Sequence, residues 1–219
     1  MKLQELLKNV AVKNSTAAQD IDIKEVRYDS RAVQPGDLFV AIRGYATDGH
    51  KYIVKAMEQG AAAVVCEEAS EGVPAVVVEN SRIALAEIAA NRFGHPAESM
   101  VMLGVTGTNG KTTTYLVKHM LEDAGHKVGL IGTNQNLIGD EVIETERTTP
   151  ESYELHTLFA RMRDAGCTHV IMEVSSHSMV LDRVHGIPFA VGAFTNLTQD
   201  HLDFHKTMEE YRKAKALLF

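Results

Sequence analysis

A glycine-rich stretch at residues 104–113 constrains the fold of this chain more than any other feature. It reads Gly-Val-Thr-Gly-Thr-Asn-Gly-Lys-Thr-Thr and lies between an apolar run at 100–103 and a helical pattern at 115–124. Such a turn between a strand and a helix cradles phosphate, because backbone N–H groups and the helix N-terminus face the anion. Val105 stands where the usual pattern has glycine, so the loop is a variant. The stretch predicts a nucleotide-binding α/β domain.

Composition narrows the class of protein. The chain has 219 residues, enough for one large or two small domains, and a formal net charge of −7, which argues against a general nucleic-acid binder. No apolar run approaches the ~20 residues of a membrane span, so we expect no membrane insertion. Cys66 and Cys167 lie far apart beside apolar runs, which predicts two buried thiols and suits a reducing cytoplasm.

The chain divides into two predicted domains, residues 1–97 and 98–219. In the first domain we expect a helix at 2–8, followed by further strands and helices. The predicted strands are 26–28, 38–42, 63–66 and 75–78, and the predicted helices are 50–59 and 82–93. A helix that ends in Phe-Gly-His-Pro at 93–96 places the boundary.

In the second domain, predicted strands alternate with predicted helices, which indicates a mostly parallel sheet whose ligands bind beyond the carboxyl ends of the strands. The predicted strands are 100–105, 127–131, 168–174 and 190–195, and the predicted helices are 111–124, 151–165 and 207–218. The helical pattern continues to Phe219 with its apolar side unused, so we expect a piece of a longer protein.

Polar side chains follow two of these strands. Glu173 ends the apolar run 170–172, beside the phosphate loop, where an acid commonly binds the Mg²⁺ of a nucleotide; the alternative is a solvated acid. After the next strand come His201 and His205 at i,i+4 spacing, but Leu202 replaces the glutamate of the zinc protease pattern. This loop is therefore more consistent with a site for a second Mg²⁺ or for the reacting phosphate than with a zinc site. The alternative is an ordinary solvated loop.

Lys215 falls on an apolar helical face, together with Tyr211 and Ala214, whereas Arg212 and Lys213 point away from that face. Taken alone, a lysine in this position is expected to extend its ammonium group to solvent.

Three further segments carry polar groups that could contact a ligand but also have an ordinary structural explanation. Thr148 or Thr149 is expected to cap the helix that begins with Pro150. Arg183 is either an anion clamp or a surface arginine. Residues 28–31 and 44–50 of the first domain are consistent with turns.

Together, residues 104–113, 172–177 and 196–203 resemble the Mur ligase family. The phosphate loop alone is shared with folylpolyglutamate and cyanophycin synthetases. The segments 29–31, 36–41, 148–150 and 174–177 resemble the Mur ligases that add a diamino acid to UDP-N-acetylmuramoyl-L-alanyl-D-glutamate. The fold implied is a small N-terminal α/β UDP-binding domain followed by a partial P-loop ATPase-like central domain, with the C-terminal ligase domain absent.

The resemblance implies a role for each matching residue. ATP would be held by Gly107, Thr108, Asn109, Gly110, Lys111, Thr112 and Thr113. Mg²⁺ would be held by Thr112, Glu173, His201 and Lys215, the last as a CO2-derived carbamate; this removes the difficulty of a cation on an apolar face. The uridine end would contact Ser30, Tyr45, Ala46 and Thr47. The muramoyl-dipeptide would contact Thr148, Thr149, Ser175 and Arg183, although a glutamine that often assists is replaced by Leu181.

The activity implied is ATP-dependent amide ligation through an acyl phosphate, with Lys111, Glu173, His201 and Lys215 as the catalytic set. The partners implied are the UDP-muramoyl-dipeptide and meso-diaminopimelate or L-lysine, in a monomeric cytoplasmic enzyme of peptidoglycan synthesis. Two alternatives stay open. One is a folylpolyglutamate-type ligase, and the other is a module that binds UDP-sugar or nucleotide without turnover. We expect residues 1–219 alone to be inactive.

Overall fold

The computed structural model describes residues 1–44, 47–108, 111–145 and 147–219, without the side chain of Lys111. The chain forms two compact units, Met1–Gly94 and His95–Phe219. Each unit is a mixed α/β structure with its own sheet. No helix in the described ranges is both long enough and apolar enough to cross a membrane.

The sheet of the first unit has five strands in the order β1-β5-β4-β3-β2. The strands are β1 (Val12–Ser15), β2 (Val26–Arg27), β3 (Leu38–Val40), β4 (Ala63–Cys66) and β5 (Ala75–Val78). Strands β2 to β5 run parallel, and β1 pairs antiparallel with β5. Strands β3 and β4 are buried throughout, as expected for apolar strands inside a parallel sheet.

The helices of the first unit are α1 (Leu3–Leu6), α2 (Ile53–Glu58) and α3 (Ser81–Phe93). The Asn80 side chain caps α3, and Gly94 ends it in the left-handed conformation that favours glycine. The predicted helix at 50–59 was partly wrong, because Gly49–Tyr52 is a 3₁₀ turn that leads into α2. Cys66 and Cys167 are buried free thiols, as predicted.

The sheet of the second unit has six strands in the order β11-β6-β10-β7-β8-β9. The strands are β6 (Val101–Thr106), β7 (Val128–Ile131), β8 (Asn136–Ile138), β9 (Glu141–Ile143), β10 (His169–Glu173) and β11 (Phe189–Phe194). The four strands predicted from the sequence are mutually parallel, which confirms the mostly parallel sheet. Their carboxyl ends therefore meet at one edge.

The sequence did not predict the antiparallel hairpin β8–β9, which lies in what we expected to be a polar loop. Its strands have three residues each, too few for a periodic pattern, although Gly139-Asp140 between them is a turn signal. The sequence also did not predict strand β1 and two short helices, because they too have too few residues for a periodic pattern.

The helices of the second unit are α4 (Lys111–Asp123), α5 (Ser152–Asp164), α6 (Ser176–Val180), α7 (Leu202–His205) and α8 (Met208–Ala216). The expected cap of α5 was wrong. Glu151 is the N-cap residue, and the Glu154 carboxylate accepts a hydrogen bond from its backbone N–H. The hydroxyl of Thr149 is used elsewhere, at the end of β10.

Candidate active site and nucleotide pocket

Glu173 is the last residue of β10 and pairs in register with Val105 of β6, next to the phosphate loop. Its side chain is buried, with the residue 7% exposed. The carboxylate accepts hydrogen bonds from Thr133 Oγ1 at 2.7 Å and from the Thr133 backbone N–H at 3.4 Å. A Cβ at position 132 would lie 2.7 Å from Glu173 Oε1, so only glycine allows this approach. The strand end thus presents a fixed acid, as the sequence predicted.

Thr133 is a site residue that the sequence analysis missed. Besides Glu173 it contacts Thr148, and the two hydroxyl oxygens are 3.0 Å apart. Since Thr133 donates its one hydroxyl hydrogen to the carboxylate, Thr148 donates to Thr133. The signal was present, because Gly132-Thr133 directly follows the apolar strand β7, at the same sheet edge as Glu173.

A cavity of about 340 Å³ opens at this edge. It brings together residues that the sequence analysis predicted from separate segments: Gly107, Thr108, Thr148, Glu173, Ser175, His201 and Lys215. Thr133 and Asp200 also line the cavity. Convergent polar and ionisable groups in one cavity are typical of an active site.

The described part of the phosphate loop is held by the loop that follows β11. A Cβ on Gly107 would clash with Thr195 Oγ1, so a side chain there is excluded unless Thr195 moves. The Thr108 hydroxyl accepts a hydrogen bond from Thr198 N–H at 2.9 Å. Helix α4 begins at Lys111, and Thr112 in its first turn is exposed.

Three of the predicted ATP-binding groups lie outside the described residues: Asn109, Gly110 and the Lys111 side chain. Thr113, the last residue of the predicted set, is half-buried in the first turn of α4.

Lys215 is buried, only 2% exposed, and does not reach solvent. Its Nζ donates to the Gly107 carbonyl at 2.9 Å and lies 4.8 Å from the centre of the Tyr211 ring. Burial lowers the pKa of Lys215 to about 8, although the nearby Asp200 carboxylate opposes the shift. The helix therefore aims an unusually acidic ammonium group at the phosphate loop, and the solvent-exposed alternative was wrong.

Thr149 joins the loop before α5 to the end of β10. It is 1% exposed, its hydroxyl donates to the Glu173 carbonyl at 2.9 Å, and its oxygen accepts from Ser175 N–H at 3.1 Å. Ser175 in turn caps α6 through Ser178 N–H. These bonds fix the backbone on both sides of the acid.

Arg183 lies close to this segment but contacts protein groups. Its Nε is 2.6 Å from Glu151 Oε1, and its Nη1 donates to the Thr149 carbonyl at 3.1 Å. Arg147 Nη1 lies 3.5 Å from the same carboxylate oxygen. The buried Glu151 therefore forms ion pairs with both arginines, and the sequence pattern did not reveal this partner.

Three histidines cluster beside the cavity. The His177 ring centre lies 4.9 Å from that of His201 and 5.4 Å from that of His205. His205 Nε2 is 2.8 Å from Ser176 Oγ, and burial lowers the pKa of both His177 and His205. His201 is more open and lies 3.6 Å from Asp200 Oδ2. Among the described side chains, no group of three or more His, Cys, Asp or Glu has the geometry of a complete metal site.

The first unit has a separate pocket of about 520 Å³ beyond the ends of β2 and β3. Ser30 and Thr47, two of the residues predicted to hold the uridine end, line it. Tyr45 and Ala46, the other two, lie outside the described residues. Asp29 accepts hydrogen bonds from the Arg31 guanidinium, which holds the pKa of the Asp29 carboxyl below its usual value.

Two family profiles match the chain. The profile described as "Mur ligase middle domain" matches residues 105–219, and the one described as "Mur ligase family, catalytic domain" matches residues 22–93.

A relative from Clostridium tetani, named UDP-N-acetylmuramoyl-L-alanyl-D-glutamate--2,6-diaminopimelate ligase, is 51% identical over 226 residues. That alignment covers 100% of this chain and 47% of the relative, so the chain spans about half the length of the curated relatives it matches.

Solved structures agree with these matches. A structure of a UDP-N-acetylmuramoyl-L-alanyl-D-glutamate--2,6-diaminopimelate ligase aligns with a TM-score of 0.79 and 25% identity, covering 100% of this chain and 44% of that chain. A MurF ligase from Thermotoga maritima in complex with ADP aligns with a TM-score of 0.57 and 26% identity, covering 92% and 44% respectively.

Proposed function

The chain belongs to the Mur ligase family, and from that premise we propose that it is part of an ATP-dependent ligase of the MurE type. The reaction proposed is the addition of a diamino acid to UDP-N-acetylmuramoyl-L-alanyl-D-glutamate in peptidoglycan synthesis. Relatives that share about half of their aligned residues with this chain are named for that activity. Their names favour 2,6-diaminopimelate over L-lysine as the amino acid that is added.

The observation that carries this proposal is the convergence of Glu173 and Lys215 on the phosphate loop. Both are buried, both line one cavity, and Lys215 Nζ bonds to the loop itself. Burying ionisable groups is costly, so their presence beside a phosphate site supports a chemical role.

The donor set fits a magnesium ion. Glu173 is a buried carboxylate that Thr133 holds in place by two hydrogen bonds. Mg²⁺ prefers oxygen ligands, which Glu173 and the Thr112 hydroxyl supply, whereas His201 offers a softer nitrogen. When bound, Mg²⁺ would offset the negative charge that builds up on the transferred phosphoryl group.

Lys215 would complete the set as a carbamate. Its amine must lose a proton before it can attack CO2, and a pKa of about 8 gives a substantial neutral fraction near neutral pH. The product is an anion with two oxygen ligands in place of a buried cation.

In the proposed mechanism, the γ-carboxylate of D-glutamate attacks the γ-phosphorus of ATP, and ADP leaves. The loop amides and Lys111 stabilise the charge on the phosphoryl oxygens. The amine of the diamino acid then attacks the acyl phosphate, loses a proton, and displaces phosphate to form the amide. Thr133 and Thr149 would hold the strand end and the Glu173 carboxylate in place during both steps.

The two substrate ends would occupy the two described cavities. We propose that Ser30, Tyr45, Ala46 and Thr47 contact the uridine nucleotide, and that Thr148, Thr149, Ser175 and Arg183 act at the muramoyl-dipeptide. Because Thr149 and Arg183 already bond to protein groups, their part in this proposal is to shape the site through the backbone. A monomeric enzyme in the cytoplasm, where ATP and UDP-sugars are made, is the setting proposed.

The two alternatives predict different behaviour. A folylpolyglutamate-type ligase would not need the uridine pocket, and the match of a Mur ligase profile to residues 22–93 disfavours it. A binding module without turnover describes residues 1–219 by themselves, since the relatives have about as many residues again. We therefore propose that this chain alone forms no amide.

The test uses the full-length ligase and substrate labelled with ¹⁸O in the D-glutamate γ-carboxylate. Ligation to diaminopimelate through an acyl phosphate transfers one ¹⁸O to inorganic phosphate, which mass spectrometry detects. Amide formation with unlabelled phosphate would contradict the mechanism, and glutamate addition to a folate without muramoyl-dipeptide ligation would contradict the substrate.

A further inference from the structure

Residues 43–44 and 47–49 of the first unit border the candidate uridine pocket and are here called the pocket loop. Gly44, Thr47 and Gly49 line the pocket. Gly44 N–H donates to the Thr47 carbonyl at 2.8 Å, which joins the two described parts of the pocket loop. A Cβ on Gly49 would lie 2.7 Å from the Ile42 carbonyl oxygen, so Gly49 packs tightly against the strand end that precedes the loop. These described residues form part of one wall of the pocket.

Both ends of the pocket loop are tied to Glu67, the residue that follows β4. At the first end, Arg43 Nε lies 3.1 Å from Glu67 Oε2. At the second end, Asp48 Oδ1 lies 2.7 Å from His50 Nδ1, and His50 Nε2 accepts a hydrogen bond from the Glu67 backbone N–H at 2.9 Å. One residue thus anchors the loop twice, through its carboxylate and through its amide.

The hydrogen bonds define the state of the His50 ring. A backbone N–H can only donate, so Nε2 must be unprotonated and accept. The ring hydrogen is then on Nδ1 and is donated to Asp48. The side chain is 13% exposed, so water replaces these bonds poorly when they are lost.

Glu67 is itself fixed by helix α3. Its Oε1 accepts hydrogen bonds from Ser81 Oγ at 3.0 Å and from Ser81 N–H at 3.1 Å. Ser81 is the first residue of α3 and is fully buried. The anchor point is therefore part of the rigid body of the unit, and the pocket loop is held against it.

We infer that His50 is a positioning residue for the uridine pocket, acting through Asp48 and Glu67 rather than by contact with the ligand. The inference rests on the proposed function, which places a uridine nucleotide in this pocket. The tether needs the Nε2 acceptor, because that atom joins the far end of the pocket loop directly to the Glu67 backbone N–H.

Two variants separate the acceptor from the rest of the ring. The His50→Gln side chain can place an amide oxygen where Nε2 lies, and it preserves the bond from Glu67 N–H. The shorter His50→Asn side chain can still donate to Asp48 but does not reach Glu67. Calorimetric titration of the 219-residue chain with UDP and, separately, with ATP and Mg²⁺ measures each pocket. Amide hydrogen exchange at Glu67 reports the tether directly.

We expect His50→Gln to bind UDP within about threefold of the wild-type affinity and His50→Asn to bind it about tenfold or more weakly. ATP affinity stays unchanged in both variants, and the Glu67 amide exchanges about tenfold faster only in His50→Asn. Equal UDP affinities for the two variants overturn the inference, as does an equal loss of UDP and ATP binding, which would indicate a general fold defect. If the wild-type chain binds no UDP, the proposed function is wrong for this pocket, and the exchange at Glu67 alone decides whether His50 tethers the loop.

Discussion

The two candidate pockets occupy equivalent places, each beyond the carboxyl ends of parallel strands in its own sheet, but they differ in which groups are buried. The cavity of the second unit contains Glu173 and Lys215, both withdrawn from water. Around the pocket of the first unit the charged groups lie at the surface, and the Arg31 side chain is 82% exposed. Buried charge is costly and is retained where chemistry uses it. The difference supports the proposal that the first unit serves recognition and the second serves the reaction.

The largest effect expected from this comparison is at Glu173. In the full-length ligase, Glu173→Gln keeps the shape of the side chain but removes the charge, and we expect kcat to fall by about 10²- to 10³-fold. Steady-state assays with saturating substrates measure the loss. Glu141→Gln, an exposed carboxylate on β9, is the matched control and should leave kcat unchanged. A similar kcat for the two variants would contradict a reactive role for the buried acid.

The next effect is on stability and depends on pH. The pKa of Lys215 is about 8 in the folded chain and about 10.5 when unfolded, so between these values the unfolded chain binds more protons. Stability therefore rises with pH from about 8 to about 10.5, and burial of the ammonium group costs about 3 kcal/mol below this window.

Urea unfolding in CO2-free buffer measures this cost as the difference between wild type and Lys215→Met. At about pH 7 we expect Lys215→Met to have a higher unfolding free energy than the wild type, because it buries no charge. This difference should decrease by about 3 kcal/mol between about pH 7 and about pH 10.5. Lys213→Met, an exposed lysine on the same helix, corrects for the general loss of a positive charge. A difference that does not change with pH would show that Lys215 is not a buried cation.

A smaller effect is expected in the first unit. Ser30 is buried at the pocket wall, and Ser30→Ala removes one hydroxyl from the proposed uridine contact. A single neutral hydrogen bond contributes about 1 kcal/mol, so UDP affinity should fall about fivefold while ATP affinity is unchanged. Calorimetry with each nucleotide checks both parts, and a fall in ATP affinity alone would reverse the assignment of the two pockets.

The smallest effect is at Arg31. Its ion pair with Asp29 is exposed, and such pairs contribute little to folding. Thermal unfolding of Arg31→Ala should give the wild-type midpoint within error. A clear loss of stability would show that this exposed ion pair contributes more to the stability of the first unit than its exposure indicates.

The sequence predicted those parts of the site whose position depends only on neighbouring residues in the chain. An acid at the end of an apolar strand and a glycine-rich turn before a helix each predict a position from a few neighbouring residues, whereas the apolar helical face around Lys215, taken alone, predicted a solvent-exposed ammonium group. The cavity joins Glu173 and Gly107 because parallel strands end at one edge, and helix α8 adds Lys215. Thr133 obeys the same strand-end rule and could have been predicted from Gly132-Thr133.

Other contacts depend on partners that are distant along the chain. Arg183 has the pattern of an anion clamp, yet its nearest acceptor is the buried Glu151. His50 lies in a turn-like segment, and only the packing of α3 against the end of β4 shows that it reaches Glu67. These pairings follow from tertiary packing, which no short pattern encodes.

The most direct test of the division between the two units is one set of titrations on the 219-residue chain. UDP and ATP are titrated separately and then together, and ATP is titrated both with and without Mg²⁺, into wild type and into Glu173→Gln. We predict two independent sites, with Glu173→Gln removing the Mg²⁺ dependence of ATP binding and leaving UDP affinity unchanged. Competition between the two nucleotides, or an equal loss of both affinities in Glu173→Gln, would contradict separate sites for recognition and reaction.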